Sequence, residues 1–277
     1  MRNYRSLVYP YIIWMLIMIV VPMLMILVYA FSKQGNSVRT LVFTLENFAS
    51  FFEDQIFIDV MKKSVGVALV TTILCVLLGY PVAYVIARSP RGESALIMLI
   101  TIPMWINMMV RTYAWVGMLQ DNGLFNDILG FFGIPAQKLL YTDFSVILGM
   151  VYNFIPFMIL QIYTSLSKMD KSYLEAAKDL GADEWTAFVK VTLPLSVPGI
   201  ISGITLVFLP AVSSFFIPKL LGGGQYVLIG NVIENQFLTA GNWSFGSAIS
   251  LIMTVIILIS MYITKRFDRN IGTEGSE

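Results

Sequence analysis

Six apolar runs decide what this chain can fold into: 9–31, 65–87, 96–119, 146–166, 198–220 and 247–263. Each reaches or approaches the ~20 residues an α-helix needs to cross the hydrocarbon of a bilayer. Composition agrees, since 57% of residues are hydrophobic and only 13% charged, too apolar for an ordinary soluble domain. The expected fold is an all-α polytopic membrane protein with six transmembrane helices in a single domain, 1–277.

Arg2 and Arg5 precede the first run as basic residues precede a secretory leader. The run is too long for one, and no small-residue cleavage signal is evident before Lys33, so it reads as a retained helix with Tyr9, Tyr11, Trp14, Tyr29 and Phe31 anchoring its ends. With the N-terminus inside, most of the 18 Lys and Arg fall on the same side, among them Arg88, Arg91, Lys168, Lys171, Lys178, Lys190, Lys265, Arg266 and Arg269. Both termini and the segment 168–197 are then cytoplasmic. Lys62 and Lys63 lie on the other side and are read as snorkelling or facing water on an outer helix.

Several chemistries are excluded. There is one cysteine, Cys75, and no histidine, and no Walker A, GxSxG or HExxH pattern. Gly222-Gly223-Gly224 lacks the Lys-Ser or Lys-Thr of a phosphate loop and reads as a flexible connection. No catalytic site, metal site or cofactor is expected in the chain. None of the six runs holds an Asp or Glu, which argues against proton- or sodium-driven transport, so energy must come from a partner.

Polar groups and breaks inside the runs are the candidates for a translocation path or gate. The third run carries Asn107 and Arg111 beside Pro103, with Trp105, Tyr113 and Trp115 nearby. The fourth carries Tyr152 and Asn153 beside Pro156. In the fifth, Pro210, Ser213 and Ser214 interrupt the run before Phe215, Phe216 and Pro218, which predicts a kinked or unwound outer end. The same residues also suit a snorkelling arginine, bent packed helices and lipid-facing rings. Gly199 and Gly203 form a GxxxG pair for close helix packing, internal or with a second subunit. Outside the runs, 45–52 after Thr44 places Phe48, Phe51 and Phe52 on one helical face. Phe125, Ile128, Leu129 and Phe132 do the same, and both segments are read as short helices on the outer rim.

One stretch does not look like membrane. From Ser172 to Gly199 the chain reads SYLEAAKDLGADEWTAFVKVTLPLSVPG. Asp170 or Ser172 caps a helix, Ser172 with Glu175 has capping-box spacing, Gly181 ends the helix, and Asp183 caps a second short helix that Pro194 stops. Leu174, Ala177 and Gly181 share a face on the first helix; Trp185, Phe188 and Val189 form one on the second. Such a pair suits a socket in another protein, or packs on its own membrane helices.

Glu175-Ala176-Ala177, Gly181 four residues after Ala177, Val191, and Leu193-Pro194 resemble the EAA loop of binding-protein-dependent ABC import permeases, departing only at Val191, where the family usually has Ile. The resemblance implies a type I importer permease fold in a bacterial cytoplasmic membrane. Residues 171–192 would form coupling helices seated in a cleft of a cytoplasmic ATPase, with ATP and Mg on that partner.

Further stretches are similar to the spermidine/putrescine permeases of this family. They are Ile102-Pro103-Met104-Trp105, 110–115, 221–223, 229–233 and 242–248, the last with Ser244 where Pro is frequent. This likeness covers about Val8 to Phe267. It implies polyamine import with a second, similar permease, two ATPase copies and an external polyamine-binding protein, and no nucleic acid. Trp105, Tyr113, Trp115, Tyr152, Phe215 and Phe216 offer π-faces to ammonium groups, and Asp121, Asp127, Asp143 and Glu234 offer charge near the outer mouth. Arg111 opposes a cation. An importer of another small organic solute, or a membrane scaffold, remains open on the residues alone.

Overall fold

The computed structural model describes residues 8–33, 42–89 and 91–274, with side chains as far as residue 266. Arg2, Arg5 and the side chain of Arg269, used above for orientation, lie outside them. In chain order the helices are α1 (Tyr9–Ala30), α2 (Glu46–Glu53), α3 (Gln55–Ala87), α4 (Glu93–Trp105), α5 (Met108–Leu119) and α6 (Leu124–Phe131). They continue as α7 (Asp143–Ser167), α8 (Ser172–Asp179), α9 (Glu184–Ser213), α10 (Phe216–Leu221), α11 (Ile229–Leu238) and α12 (Trp243–Glu274). Among the described residues five helices, α1, α3, α7, α9 and α12, are long and apolar enough to cross a membrane. A sixth span arises if α4 and the 108–131 segment, bent by 91° at their junction, are one broken crossing. The all-α expectation holds.

Local chemistry explains where these helices begin. The Asp54 carboxylate accepts the Ile56 N–H at 2.9 Å, so α3 starts ten residues before its apolar run and carries Lys62 and Lys63 in helical turns. Thr142 and Ser145 form a reciprocal capping box for α7, and Asn242 accepts the Phe245 N–H to open α12. In the third run the break expected at Pro103 falls at Ile106 and Asn107, both extended, and the Asn107 side chain caps α5 by accepting the Met109 N–H at 2.8 Å. In the fifth run the helix continues through Pro210 and breaks at Ser214, whose ψ is 134°.

Two proline expectations are corrected. Pro156 does not interrupt α7, which runs unbroken with Pro156 buried, so packing around the ring holds the turn that its missing N–H weakens. Pro194 does not stop the helix after Asp183. A π-helical turn, Phe188–Thr192, precedes it; the Leu193 N–H reaches back five residues to Phe188 O, and α9 continues to Ser213. The widened turn relieves the clash between a proline ring and the carbonyl four residues earlier. α1 uses the same device: the π turn Leu16–Val20, with Val21 N–H bonded to Leu16 O, stands immediately before Val21-Pro22.

The chain divides into two compact units, Met1–Met61 with Ile229–Leu258, and Lys62–Leu228 with Ile259–Glu277. In the first, Asn47 on α2 donates to Ala30 O and Ser32 O at 3.0 and 2.9 Å, tying α2 to the end of α1. Phe57 stacks on Phe51 and meets Phe245 edge-on, and Trp243 contacts Tyr29 and Phe237. The expected apolar face of α2 is shifted: Phe51 is buried, Phe48 half-buried and Phe52 exposed, because Asn47 takes the inner position to satisfy the two carbonyls. Thr44 accepts the Glu46 N–H at 3.1 Å. None of the apolar window of α1 is buried.

In the second unit α7 is the centre. Gly79 on α3 lies where a Cβ would stand 3.3 Å from Met158 and Ile159, Gly149 faces Leu221 and Ile217 on α10, and Gly203 on α9 faces Met158. At Gly199 a Cβ would come within 2.8 Å of the Gln161 carbonyl and 2.5 Å of Ser165 Cβ. The GxxxG pair therefore serves packing within the chain. On α6 the inner position goes to Asn126, which donates to Gln120 O and Gln137 O and accepts the Gln137 N–H. Phe125 and Leu129 are consequently only half-buried, and Ile128 and Phe132 are exposed, unlike the apolar face expected.

Gly199→Ala should destabilise the protein more than Gly203→Ala. The first clashes with backbone, whereas the second meets the flexible end of a methionine; the difference should be ~1–3 kcal/mol. Thermal unfolding in detergent checks the order, and equal midpoints would contradict this packing.

Candidate functional site

The hairpin 170–192 is built by three local devices. Asp170 Oδ1 accepts the Ser172 N–H at 2.9 Å, and Asp183 Oδ1 accepts the Thr186 N–H at 3.2 Å. These bonds hold both carboxyls below the usual range: Asp170 through the backbone and then the hydroxyl of Ser172, Asp183 through the side chain and then the backbone of Thr186. The caps are therefore in place above the ordinary carboxylate range and are lost as pH falls through the lowered values. Between them Gly181 has φ +83°, the Ala182 N–H bonds Ala177 O and the Gly181 N–H bonds Lys178 O, a complete Schellman turn. The expected Ser172–Glu175 capping box does not form. Ser172 is already inside α8, because Asp170 has taken the cap.

What fixes this hairpin to the span helices is Phe188. Its ring meets Tyr80 and Tyr84 of α3 edge-on at 5.8 and 5.3 Å and stacks on Trp185 at 5.7 Å. Such aromatic pairs contribute about 0.5–1.5 kcal/mol each beyond area. Beside them the Tyr80 and Ser196 hydroxyls lie 2.9 Å apart, and the Arg88 guanidinium lies 4.3 Å over the Tyr84 ring. Glu184 pairs with Lys178 at 2.6 Å and with Arg88 at 3.6 Å, and Lys178 first, then Arg88, holds its carboxyl low. Both ion pairs are exposed and salt-screened, so the aromatic contacts anchor and the charges orient.

The apolar face expected from Trp185, Phe188 and Val189 is thus split. Phe188 turns inward, while Trp185 is 70% and Val189 40% exposed. Glu175, Ala176 and Pro194 are exposed, Ala177 and Leu193 half-buried. The outer surface gains a residue that sequence reasoning missed, Leu180, 89% exposed, with Tyr173 at 56%. A leucine immediately before the helix-ending glycine of an otherwise polar segment was the available signal. Beneath the hairpin a cavity of about 340 Å³ opens between α8 and the ends of α3 and α7.

The pathway candidates separate into groups. Arg111, Trp115 and Tyr152 come together: Trp115 meets Tyr152 edge-on at 5.3 Å and stacks on Phe125, and the Arg111 guanidinium lies 6.0 Å from the Tyr152 ring. Arg111 Nε and Nη1, Asn153 Oδ1 and Ser214 Oγ are buried without a hydrogen-bond partner among the described residues. Ser213 donates back to Leu209 O, and Phe215 and Phe216 lie 4.6 Å apart at the break before α10, which packs on α5 and α7. Trp105 and Tyr113 are outside this group, 82% and 55% exposed. Glu234 belongs to the other unit.

Of the expected acidic residues, Asp143 is engaged by an aromatic neighbour. The Asp143 carboxylate accepts the Tyr226 hydroxyl; burial first, and then this contact, push the Tyr226 phenol up. Lys63, expected to snorkel or meet water, places its ammonium 3.6 Å over the same ring. Acid and aromatic groups meet instead in the first unit, where Glu53, Asp54, Asn47, Asn242, Phe57 and Phe245 line an open cavity of about 500 Å³. Sequence reasoning missed it because Asn242 and Phe245 come from a distant segment. No group of three or more metal-ligating side chains occurs among the described residues.

Residues 75–273 match the family described as the binding-protein-dependent transport system inner membrane component. The chain is 36% identical over 260 residues to the spermidine/putrescine transport system permease protein PotB of Haemophilus influenzae, covering 92% of this chain and 91% of that one. It is likewise 36% identical to PotB of Escherichia coli K12, covering 92% and 94%. Its fold superposes with TM-score 0.79 on a chain of the bacterial alginate ABC transporter solved with an alginate pentasaccharide-bound periplasmic protein, at 18% identity and covering 96% and 94%. With all-α spans, a capped hairpin between the fourth and fifth, and these relatives, the chain belongs to the binding-protein-dependent inner-membrane permeases of ABC importers.

Proposed function

We propose that this chain is a permease subunit that imports polyamines, spermidine or putrescine, in an ATP-driven complex. The observation that carries the coupling role is the hairpin 170–192, clamped to α3 through Phe188 while presenting Tyr173, Leu180 and Trp185 outward. An exposed apolar knob on a rigid mount suits a cleft in another protein. That partner is a cytoplasmic ATPase dimer carrying ATP and Mg, which places the hairpin and both termini in the cytoplasm. A second, similar permease and an external polyamine-binding protein complete the assembly.

Mechanically, α9 is the lever. It runs 30 residues from Glu184 to Ser213, about 45 Å at 1.5 Å per residue, and ends at the Ser214 break beside Phe215 and Phe216. Closure of the ATPases displaces Trp185 and Leu180, and the continuous helix passes the shift to the aromatic pair, which acts as the gate for alternating access. For the cargo, the names of the relatives at 36% identity support a polyamine. The rings of Trp115, Tyr152 and Phe215, and the Glu53–Asp54 cavity with its two phenylalanines, suit ammonium groups at ~0.5–2 kcal/mol per ring. Arg111, with buried unpartnered donors, favours a second reading in which the solute carries an acceptor group.

In proteoliposomes holding the complex and its external protein, labelled spermidine or putrescine should accumulate only with ATP. Glu175→Lys, Gly181→Pro and Leu180→Asp should each lower that uptake about tenfold or more, the loss of an interface anchor or of a turn that proline cannot adopt. ATP hydrolysis without movement of either polyamine would favour the solute with an acceptor. Phe188→Ala should speed hydrogen exchange across 172–192 while 143–167 stays protected, and Arg88→Gln should do so much less. The reverse order would mean that charge, not the ring, anchors the hairpin.

A further inference from the structure

We propose that the cavity beneath the hairpin binds a net-anionic, phosphate-bearing group. Three of its lining residues are cationic, Arg88, Lys171 and Lys178, against one carboxylate, Glu175. Glu184 offsets part of that charge by bridging Arg88 and Lys178, but Lys171 has no carboxylate within ion-pair distance among the described residues.

The second observation is Thr192. It lines the cavity, is 1% exposed, and its hydroxyl has no hydrogen-bond partner among the described residues. Elsewhere in this chain several helical threonines return the hydroxyl to the carbonyl four residues earlier, as Thr72, Thr112, Thr205 and Thr264 do at 2.7 to 3.1 Å, and Thr71 donates instead to Met150 Sδ. For Thr192 that carbonyl is Phe188 O, at the start of the π turn, and the hydroxyl makes no bond to it. A buried hydroxyl left open costs free energy, and a phosphate oxygen accepts from it at no further cost in desolvating the protein. Phosphate oxygens also suit the ammonium groups as charge-assisted acceptors.

The surroundings suit a group attached to something apolar. Leu166, Met169 and Leu174 form part of the wall, and the cavity sits where α3 ends at Ala87 and α7 ends at Ser167. Helix ends with clustered basic residues are where anionic headgroups collect. The phosphate is carried either by an anionic phospholipid or by a soluble ion.

The test uses the full chain in uncharged detergent, titrated with dioctanoyl phosphatidylglycerol, dioctanoyl phosphatidylcholine and inorganic phosphate, with binding read by native mass spectrometry and thermal shift. Phosphatidylglycerol is expected to saturate a single site at concentrations where phosphatidylcholine does not. Lys171→Gln should weaken it about tenfold or more, one charged hydrogen bond. Thr192→Val should weaken it several-fold without lowering the midpoint of the unliganded chain, since valine removes only an unpartnered hydroxyl. Inorganic phosphate that binds alone with the same dependence on Lys171 and Thr192 supports the site and assigns it to a soluble ion; phosphatidylglycerol binding without phosphate competition assigns it to the membrane. Equal binding of the two lipids, or binding indifferent to both substitutions, overturns the proposal. The assay needs neither ATP nor a second subunit, so its outcome is separate from that of the uptake assay.

Discussion

A peptide group in hydrocarbon has no water to bond, so each helix must find a partner for every backbone N–H and C=O or else end. This chain meets that demand while threading prolines through most of its spans. Pro81, Pro156 and Pro198 are absorbed inside continuous helices; Pro22 and Pro194 are each preceded by a π turn. Near Pro103 the helix breaks and Asn107 recaps it, and beyond Pro210 it breaks at Ser214. The π turn Phe188–Thr192 and the Ser214 break are both places where the hydrogen-bond ladder departs from the α pattern. That coincidence gives the two ends of α9 a structural likeness: each is a local exception at the end of a stiff rod.

Stiffness comes from packing. Lipid tails are as apolar as leucine, so helices associate by close fit rather than by burying oil from water. Glycines at 79, 149, 199 and 203 let α3, α10 and α9 approach α7 or be approached by it. Among the described candidate spans, α9 is seated against α7, the helix with the largest buried share of its apolar window. The hairpin is mounted instead on the rings of Tyr80, Tyr84 and Phe188.

Much of this was legible in the residues. Each apolar run falls on a long helix or a bent helix pair, although α3 begins ten residues and α9 fourteen residues before its run; Gly181 and Asp183 gave the turn and second cap of the hairpin, and the Ser214 break followed from clustered proline and serine. The failures share a cause: a local rule lost to a partner that the rule does not see. Ser172 had the spacing for a capping box, but Asp170, two residues earlier, accepts the Ser172 N–H instead. Pro194 had the chemistry to stop a helix, but a preceding turn could widen. Asn47 and Asn126 displaced phenylalanines from inner positions because unpaired carbonyls outweigh an exposed ring. The Glu53–Asp54 cavity and the cationic cavity under the hairpin draw on residues far apart in the chain, which no window of sequence brings together.

The π turns have one more consequence. Each residue of an α-helix advances the facing direction by about 100°, and a π turn inserts one residue without a matching rise. In α9 the insertion falls between Trp185 and the apolar run, so the compass bearing of the hairpin's outer surface is offset from that of the span that follows it. The orientation of the hairpin's outer surface is therefore not fixed by the helical phase of the span, because a single residue between them absorbs the angular mismatch.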